Sequence, residues 1–438
     1  MSVFPAARMA VVAIALVGAP SRAVTQPVPV PLRLGAVYRD LEARSPMLRA
    51  ASASARAAAA RVGPVSRLPD PSLQLSTMNR DLPGFELNEP LGMNQVQLMQ
   101  MIPLGGRIGL ATQAARARAR AEEARIPEVV LTQRALAARQ FYALYRIDRS
   151  VGVLKETREL IRKLERTAEA MYAVGSGRQP DILRAQVEIA RMTEDILRME
   201  AMRVAEAARL NGLLDRPPAD SVTRPALPDL EVSLPTADSL IALALGTRPM
   251  LRAAGAQVAA ALAEERRARR EIWPDLTLGV IYGQRGMPDG GTERMVSLMV
   301  GATVPIWAGS RQKQMRLEAL AMREMAEADL ATLKAETRAA VLEILAELDR
   351  VTRLTALYRG TVLPQAGATV SSALAAYQVG SVDFMTVLDN QMTVNRYRLE
   401  LIGLAAERGT MLAELEMITG RTWVDPDTMV SDEPGGGR

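Results

Sequence analysis

The 438-residue chain has no cysteine and no histidine. That removes thiol and imidazole nucleophiles, the Ser-His-Asp and Cys-His catalytic sets, disulfide staples and the usual zinc ligand sets. Aromatic residues make up 3%, too few for a base-stacking platform, so no nucleic-acid partner is expected. Charge of one sign is also scarce. The 54 Lys and Arg face 49 Asp and Glu, interleaved as on solvated helical faces. No stretch reaches about 18 consecutive apolar residues, so no helix is expected to span a bilayer. Phosphate loops are missing as well: Gly105-Gly106 and Gly290-Gly291 read as turn glycines at β-hairpins, not as a GxGxxG pattern. Glu122-Glu123 and Glu264-Glu265 lie beside arginines and read as solvated helix faces. No enzyme, no cofactor and no catalytic residue is expected.

The N-terminus has the form of a signal peptide over residues 1–23. Arg8 supplies the positive region, Met9 to Gly18 the short apolar core, and Ser21-Arg22-Ala23 the small residues before a cleavage site. With no cysteine after it, N-terminal lipidation is not expected. The mature chain is therefore an exported protein that either stays in water or enters a membrane as β-strands.

Two halves, about 34–215 and 236–420, repeat one unit. PMLRAA at Pro46 returns at Pro249, Pro69-Asp70 returns at Pro274-Asp275, and Pro103-Leu104 returns at Pro305-Ile306. The clearest echo is YAVGSGRQPDILRAQ, Tyr172 to Gln186, against YQVGSVDFMTVLDNQ, Tyr377 to Gln391. Gly175 and Gly380 suit a left-handed helix terminus, and Ser176 and Ser381 are expected to cap the helix that follows. Each copy reads as the tip of a long helical hairpin. Between the halves, 216–235 holds five prolines and reads as a linker without a fold of its own. Residues 421–438 read as a flexible tail.

Each half runs the same way. A short helix precedes Pro46 or Pro249, and a helix of about 20 residues ends near Pro-Asp. The period then changes from helical to twofold, giving β-hairpins over 72–102 and 275–304. Leu73 and Leu75 alternate with Gln74 and Ser76, and Leu276, Leu278 and Val280 repeat the pattern. Strands of about 10 residues are long enough to cross a bilayer when tilted, with the apolar face toward lipid and the Gln/Ser/Thr/Gly face toward a wet lumen. A half-buried hairpin of a soluble protein has the same local pattern. Four strands cannot close a barrel, and open edges are forbidden in hydrocarbon, so a membrane role requires several chains to pool them. Three would give twelve strands. Long helical runs follow, Arg107 to Val174 and Arg311 to Val379, which Pro127 and Pro364 are expected to kink or segment. The 23 methionines group at Met93, Met99, Met101 and at Met295, Met299. Thioethers suit Cu(I) or Ag(I), but the expected role is to fill a lipid-facing or core surface, and no metal site is assigned.

With these landmarks in place, the chain resembles the TolC-type outer membrane efflux proteins. The resemblance rests on the duplicated Tyr-x-x-Gly tips, the twin strand hairpins and NEPLGMNQVQLMQMIPLGGR (Asn88 to Arg107), the last similar to the heavy-metal branch. It implies a fold that is mainly α with membrane β: a homotrimer with a 12-stranded outer-membrane barrel, four strands per protomer, over a periplasmic helical tunnel with a closable iris. It further implies a periplasmic adaptor protein and an inner-membrane RND or ABC transporter as partners. Val174, Gly175, Ser176, Val379, Gly380 and Ser381 match the adaptor-docking turns. Asp181 and Asp389 match carboxylates of the iris, and Tyr377 matches a tyrosine whose hydrogen bonds hold the iris closed. Thr386 stands where another member has an aspartate. The function implied is the exit duct of an efflux pump. Alternatives are the outer-membrane duct of type I protein secretion and, in another class, a soluble periplasmic coiled-coil adaptor or scaffold.

Overall fold

The computed structural model describes residues 30–79 and 92–429. The expected signal peptide, most of the first hairpin loop and the end of the expected tail lie outside the described residues.

Helix α1 (Leu34–Arg44) stops at Ser45, ahead of Pro46, and α2 (Pro46–Ala60) starts with that proline in its first turn, where a missing N–H costs nothing. A single turn, α3 (Val62–Val65), leads to Pro69 and Pro71 and then into β1 (Ser72–Met78) and β2 (Met93–Pro103). Gly106, at φ 72°, turns the chain into α4 (Arg107–Ala173), which at 67 residues runs roughly 100 Å. Helix α5 (Gln179–Leu213) returns half that length. The second unit repeats the order with α6 (Ala237–Thr247), α7 (Pro249–Arg270), β3 (Asp275–Gly286) and β4 (Thr292–Thr303). Its long arm is broken into α8 (Lys313–Leu357) and α9 (Leu363–Gln378) by a π-helical turn at Tyr358–Val362, and α10 (Phe384–Thr419) returns.

The two prolines behave differently. Pro364 sits in the first turn of α9 and marks a segment boundary, as expected. Pro127 does not divide α4. One interior proline costs about 3 kcal/mol. Helix α4 is held along its whole length, by α2 and α7 near the sheet (Ser54–Glu122, Arg118–Glu264) and by α5 and α10 near the tip (Lys155–Glu200, Thr157–Asn395), and tertiary packing of that extent outweighs the loss.

The four strands form one antiparallel sheet in the order β1-β2-β3-β4. Its register puts Leu73, Leu98, Val280 and Leu298 in one row, and Leu75, Val96, Tyr282 and Val296 in the next. These rows form a continuous apolar face open to solvent, with Leu298 82% exposed. Trp273 and Trp307, also exposed, stand where the sheet meets the helices. The opposite face carries Gln, Ser, Thr and Gly, and also Met93, Met99, Met101, Met295 and Met299. The methionines thus lie on the polar side, not on the lipid-type or core surface expected for them. Twofold alternation forces this: each is odd-numbered along strands whose Leu and Val are even-numbered, β1 excepted. Among the described residues no helix is long and apolar enough to cross a membrane.

The main core lies midway along the helices. It gathers Leu34, Val37 and Leu41 of α1, Phe141, Tyr142 and Leu144 of α4, Leu240 of α6, Ile344 of α8 and Leu412 and Leu415 of α10. The proline-rich segment between the halves has no helix or strand of its own, yet it is pinned to this core. Leu230 is buried there, Leu32 bridges to Pro225, and Arg203, Asn211 and Arg408 donate to the carbonyls of Val222, Asp220 and Leu230 at 2.9, 2.9 and 3.0 Å. Proline removes N–H donors, so carbonyl acceptors are what the neighbouring side chains find to satisfy. The start of the expected flexible tail is likewise held down: Asp427 pairs with Arg39 at 2.9 Å, and the Pro426 carbonyl accepts from Gly35 N–H at 2.9 Å.

Candidate functional site

The end of the helical pairs remote from the sheet carries the residues singled out in the sequence. Both hairpins turn at a glycine in the left-handed region, Gly175 at φ 77° and Gly380 at φ 73°. An added Cβ at either would meet nothing within 4 Å. Glycine is therefore demanded by the backbone and not by crowding. Val174 and Val379, beside them, are 78% and 79% exposed, two apolar side chains offered to solvent at the extreme of the molecule.

The serines do not do what was expected of them. Ser176 Oγ donates to the Met171 carbonyl at 3.0 Å and Ser381 Oγ to the Ala376 carbonyl at 2.9 Å. Each thus closes the C-terminal end of the helix before it. The reason is distance along the chain: the following helices start at Gln179 and Phe384, and a capping oxygen reaches only the first turn of its own helix. The cap of α10 is Asp383, which accepts from Thr386 N–H at 3.0 Å and from the Thr386 hydroxyl. Those bonds, with Arg178 across the gap, hold the Asp383 carboxyl below the usual carboxylate range. Asp383-x-x-Thr386 was readable as a capping pattern in the sequence.

The two tips lie against each other. Arg178 of the first faces Asp383 of the second, and Arg184 of α5 contacts Met385 Sδ of α10 at 3.2 Å. Beneath them is a second core, with Leu154, Ile161 and Leu164 of α4, Ala185 of α5, and Phe384 and Val387 of α10. Tyr377 belongs to that core at 4% exposure, its ring edge-on to Phe384 with centroids 5.7 Å apart, whereas the equivalent Tyr172 is 49% exposed. Burial first, and then the Asp181 carboxylate, push the Tyr377 hydroxyl above its ordinary pKa. The structure thus brings Asp181 of one repeat and Tyr377 of the other together. The hydrogen bonds implied for Tyr377 are not made within the chain, since its buried hydroxyl has no partner among the described residues.

Asp181 is half-buried in the first turn of α5 and Asp389 is exposed further along α10. Counting by the repeat, Asp181 corresponds to Thr386 and Asp389 to Arg184, so the two carboxylates occupy different levels of the tip. Asp383, Arg178 and Arg184 were not singled out in the sequence. Arg178 and Arg184 sit among many similar charges, and only the meeting of two distant repeats distinguishes them, whereas Asp383 carries the local signal of its capping position.

A sheet with one apolar and one polar face, joined directly to helices three times as long as the sheet is tall, defines a membrane channel protomer with a helical tunnel. Comparison with known proteins agrees. The family model described as outer membrane efflux protein matches residues 37–215 and 240–421, and the chain belongs to that family of outer-membrane channels, whose helices extend into the periplasm. Among solved structures it resembles CusC at 17% identity, with a TM-score of 0.78 over 89% of this chain and 92% of that one. It resembles VceC of Vibrio cholerae at 19% identity, with a TM-score of 0.75 over 89% of this chain and 96% of that one. The MtrE channel of Neisseria gonorrhoeae gives 18% identity and a TM-score of 0.74 over 91% of each chain. At these identities the likeness is one of fold. No curated protein sequence matches the chain.

Proposed function

We propose that three copies of the chain close a twelve-stranded barrel in the outer membrane and serve as the passive exit duct of a tripartite efflux pump. The observation that carries this reading is the sheet. Its strands β1 and β4 are free edges, its outer face is a continuous apolar band, and neither feature is tolerable in a single chain. Edge-to-edge pairing of three sheets removes all six edges and turns the apolar faces to lipid. Nine residues of β3, from Leu276 to the row above Tyr282, rise about 30 Å along the strand, or about 25 Å once tilted, which is the height of the apolar band in such barrels.

In this reading the exposed tips, Val174-Gly175-Ser176 and Val379-Gly380-Ser381, dock into a periplasmic adaptor, which joins the duct to an inner-membrane transporter of the RND or ABC type. Asp181 and Asp389 face the narrow end of the tunnel, where a ring of carboxylates favours cations. Tyr377 controls that end: its buried, unpartnered hydroxyl beside Asp181 is placed to bond a neighbouring helix of the closed trimer. Planar-bilayer conductance of the purified protein tests the reading. Small, cation-selective steps are expected. A preparation that inserts into no bilayer and stays dispersed without detergent would return the chain to the adaptor or scaffold class.

A further inference from the structure

We propose that the junction between the sheet and the helices is a binding collar for anionic phospholipid headgroups in the membrane leaflet on the helical side. The inference rests on the duct reading above and adds a lipid partner to it.

One order of residues recurs where the chain passes between helix and strand. Arg270 ends α7, and Trp273 N–H donates to its carbonyl at 3.0 Å just before β3 begins. On the way back, β4 leads to Trp307, whose carbonyl accepts from Arg311 N–H at 2.9 Å. Each arginine thus stands one turn from a tryptophan, on the helix side of it. Ahead of β1, Arg67 precedes the exposed Leu68 in the same sense. Ile272, Val304 and Ile306 are exposed beside the two indoles, Ile306 by 75%. From the sheet toward the helices the surface therefore passes from aliphatic to indole to guanidinium. That is the order of acyl chains, interface and phosphates at a bilayer surface, where aromatic rings settle at headgroup level and long basic side chains reach outward.

Charge does not balance at this level. Arg61, Arg67, Arg266, Arg270, Arg311 and Lys313 are exposed, and none has a side-chain partner among the described residues. The acids nearest them are already taken. Glu264 and Glu265 pair with Arg267 and Arg269, and Glu271 and Asp275 both pair with Arg107. Only Asp70 is left over among the described acids of 61–71, 264–275 and 304–316.

The free arginines of α7 also face the right way. Asp275 lies on the polar face of β3 with Thr277 and Gly279, and Arg107 ties it to Glu271. Gln257, Glu264 and Glu271, seven apart, line one groove between α7 and α8, so that stripe of α7 lies on the lumen side. Arg266 and Arg270 are roughly 120–160° around the helix from it, on the side continuous with the apolar sheet face. A guanidinium group meets a phosphate with two parallel hydrogen bonds. A zwitterionic headgroup carries its own cation to its phosphate and an anionic one does not, so unpaired arginines favour the anionic lipid.

The test reconstitutes the full protein in phosphatidylcholine vesicles with a trace of spin-labelled phosphatidylglycerol or spin-labelled phosphatidylcholine. Electron spin resonance separates lipid held at the protein from lipid free in the bilayer. Phosphatidylglycerol should be held about threefold more strongly than phosphatidylcholine at low salt, and the preference should shrink as salt rises. Both readouts come from the parent and need no variant. The triple variant Arg266→Gln, Arg270→Gln and Arg311→Gln should hold the two lipids equally. Lys163→Gln with Arg166→Gln, exposed cations of α4 near the tip, should keep the parent's preference. Equal retention of both lipids by the parent, or an undiminished preference in the triple variant, overturns the proposal. So does a preference abolished by inorganic phosphate but not by chloride at equal ionic strength, which would mark a pocket for free phosphate. Conductance separates the two readings. A protein that conducts and holds both lipids equally loses the collar and keeps the duct; one that never conducts and immobilises neither lipid loses both.

Discussion

Substituting Gly380 isolates the geometry of the docking tip from everything around it. The residue sits at φ 73° with no atom within 4 Å of a new Cβ, so a side chain there clashes with nothing but its own backbone. An L-residue in the left-handed region costs about 1–2 kcal/mol, and asparagine is tolerated there better than alanine or valine. A β-branched side chain adds to that cost. A loss of 1–2 kcal/mol is a factor of about 5–30 in the population of the native turn. If the turn is what the adaptor grips, adaptor affinity should fall by that factor. Biolayer interferometry of the purified adaptor against Gly380→Asn, Gly380→Ala and Gly380→Val should rank them in that order, with valine weakest. Gly367→Ala, a glycine in the body of α9 that also has open space and no positive φ, should bind as the parent does. Unchanged affinity for the valine variant, or asparagine as weak as valine, would refute the reasoning.

Three further outcomes follow from single contacts. Gly409 of α10 admits the Tyr142 ring so closely that a Cβ would lie 2.3 Å from Cζ; Gly409→Ala should cost about 1–3 kcal/mol by overpacking and lower the melting temperature, and an unchanged melt would show that the helices separate freely. Asp181→Ala with Asp389→Ala should reduce cation selectivity, and identical reversal potentials would remove the carboxylates from the pore. Burial, opposed by Arg134, holds the Glu416 carboxyl above its ordinary value of 4.5. A raised acid stabilises the fold fully below the unfolded value and loses that contribution as pH rises through the folded one, so as pH rises above the ordinary value of 4.5 the parent should lose more stability than Glu416→Gln; parallel pH profiles would contradict the burial argument.

Much of the architecture was legible because it rests on local signals. Pro46, Pro249 and the Pro-Asp pairs set helix limits, the twofold alternation of Leu73, Leu75, Leu278 and Val280 marked strands, and Tyr-x-x-Gly marked the tips. What local signals could not show depends on distant partners. Pro127 looks like a break until four helices are seen holding α4. The proline-rich segment looks loose until Arg203, Asn211 and Arg408 reach its carbonyls. The serines after each tip glycine are good capping residues in isolation, but the turn carries on for two more residues before each helix starts and leaves them facing backward. Methionine illustrates the same limit on a finer scale. Its alternation with leucine was visible in MNQVQLMQMI, yet an apolar reading placed both residue types on one side. Only the register, with Met99, Gly279 and Met299 in one row, shows that the methionines fall on the face opposite the leucines.

The central claim is that the free edges β1 and β4 meet across chains. The absence of cysteine makes this directly testable, because every disulfide formed must join introduced residues. A panel pairing Ser72→Cys, Gln74→Cys or Ser76→Cys on β1 with Ser297→Cys, Met299→Cys or Gly301→Cys on β4 would be oxidised in outer membranes and run on a denaturing gel without reductant. The account predicts that at least one pair yields a ladder of one, two and three chains that ends at three, with single-cysteine controls giving none. Monomers only across the whole panel, or a ladder that stops at two or continues past three, would contradict a barrel closed by three chains.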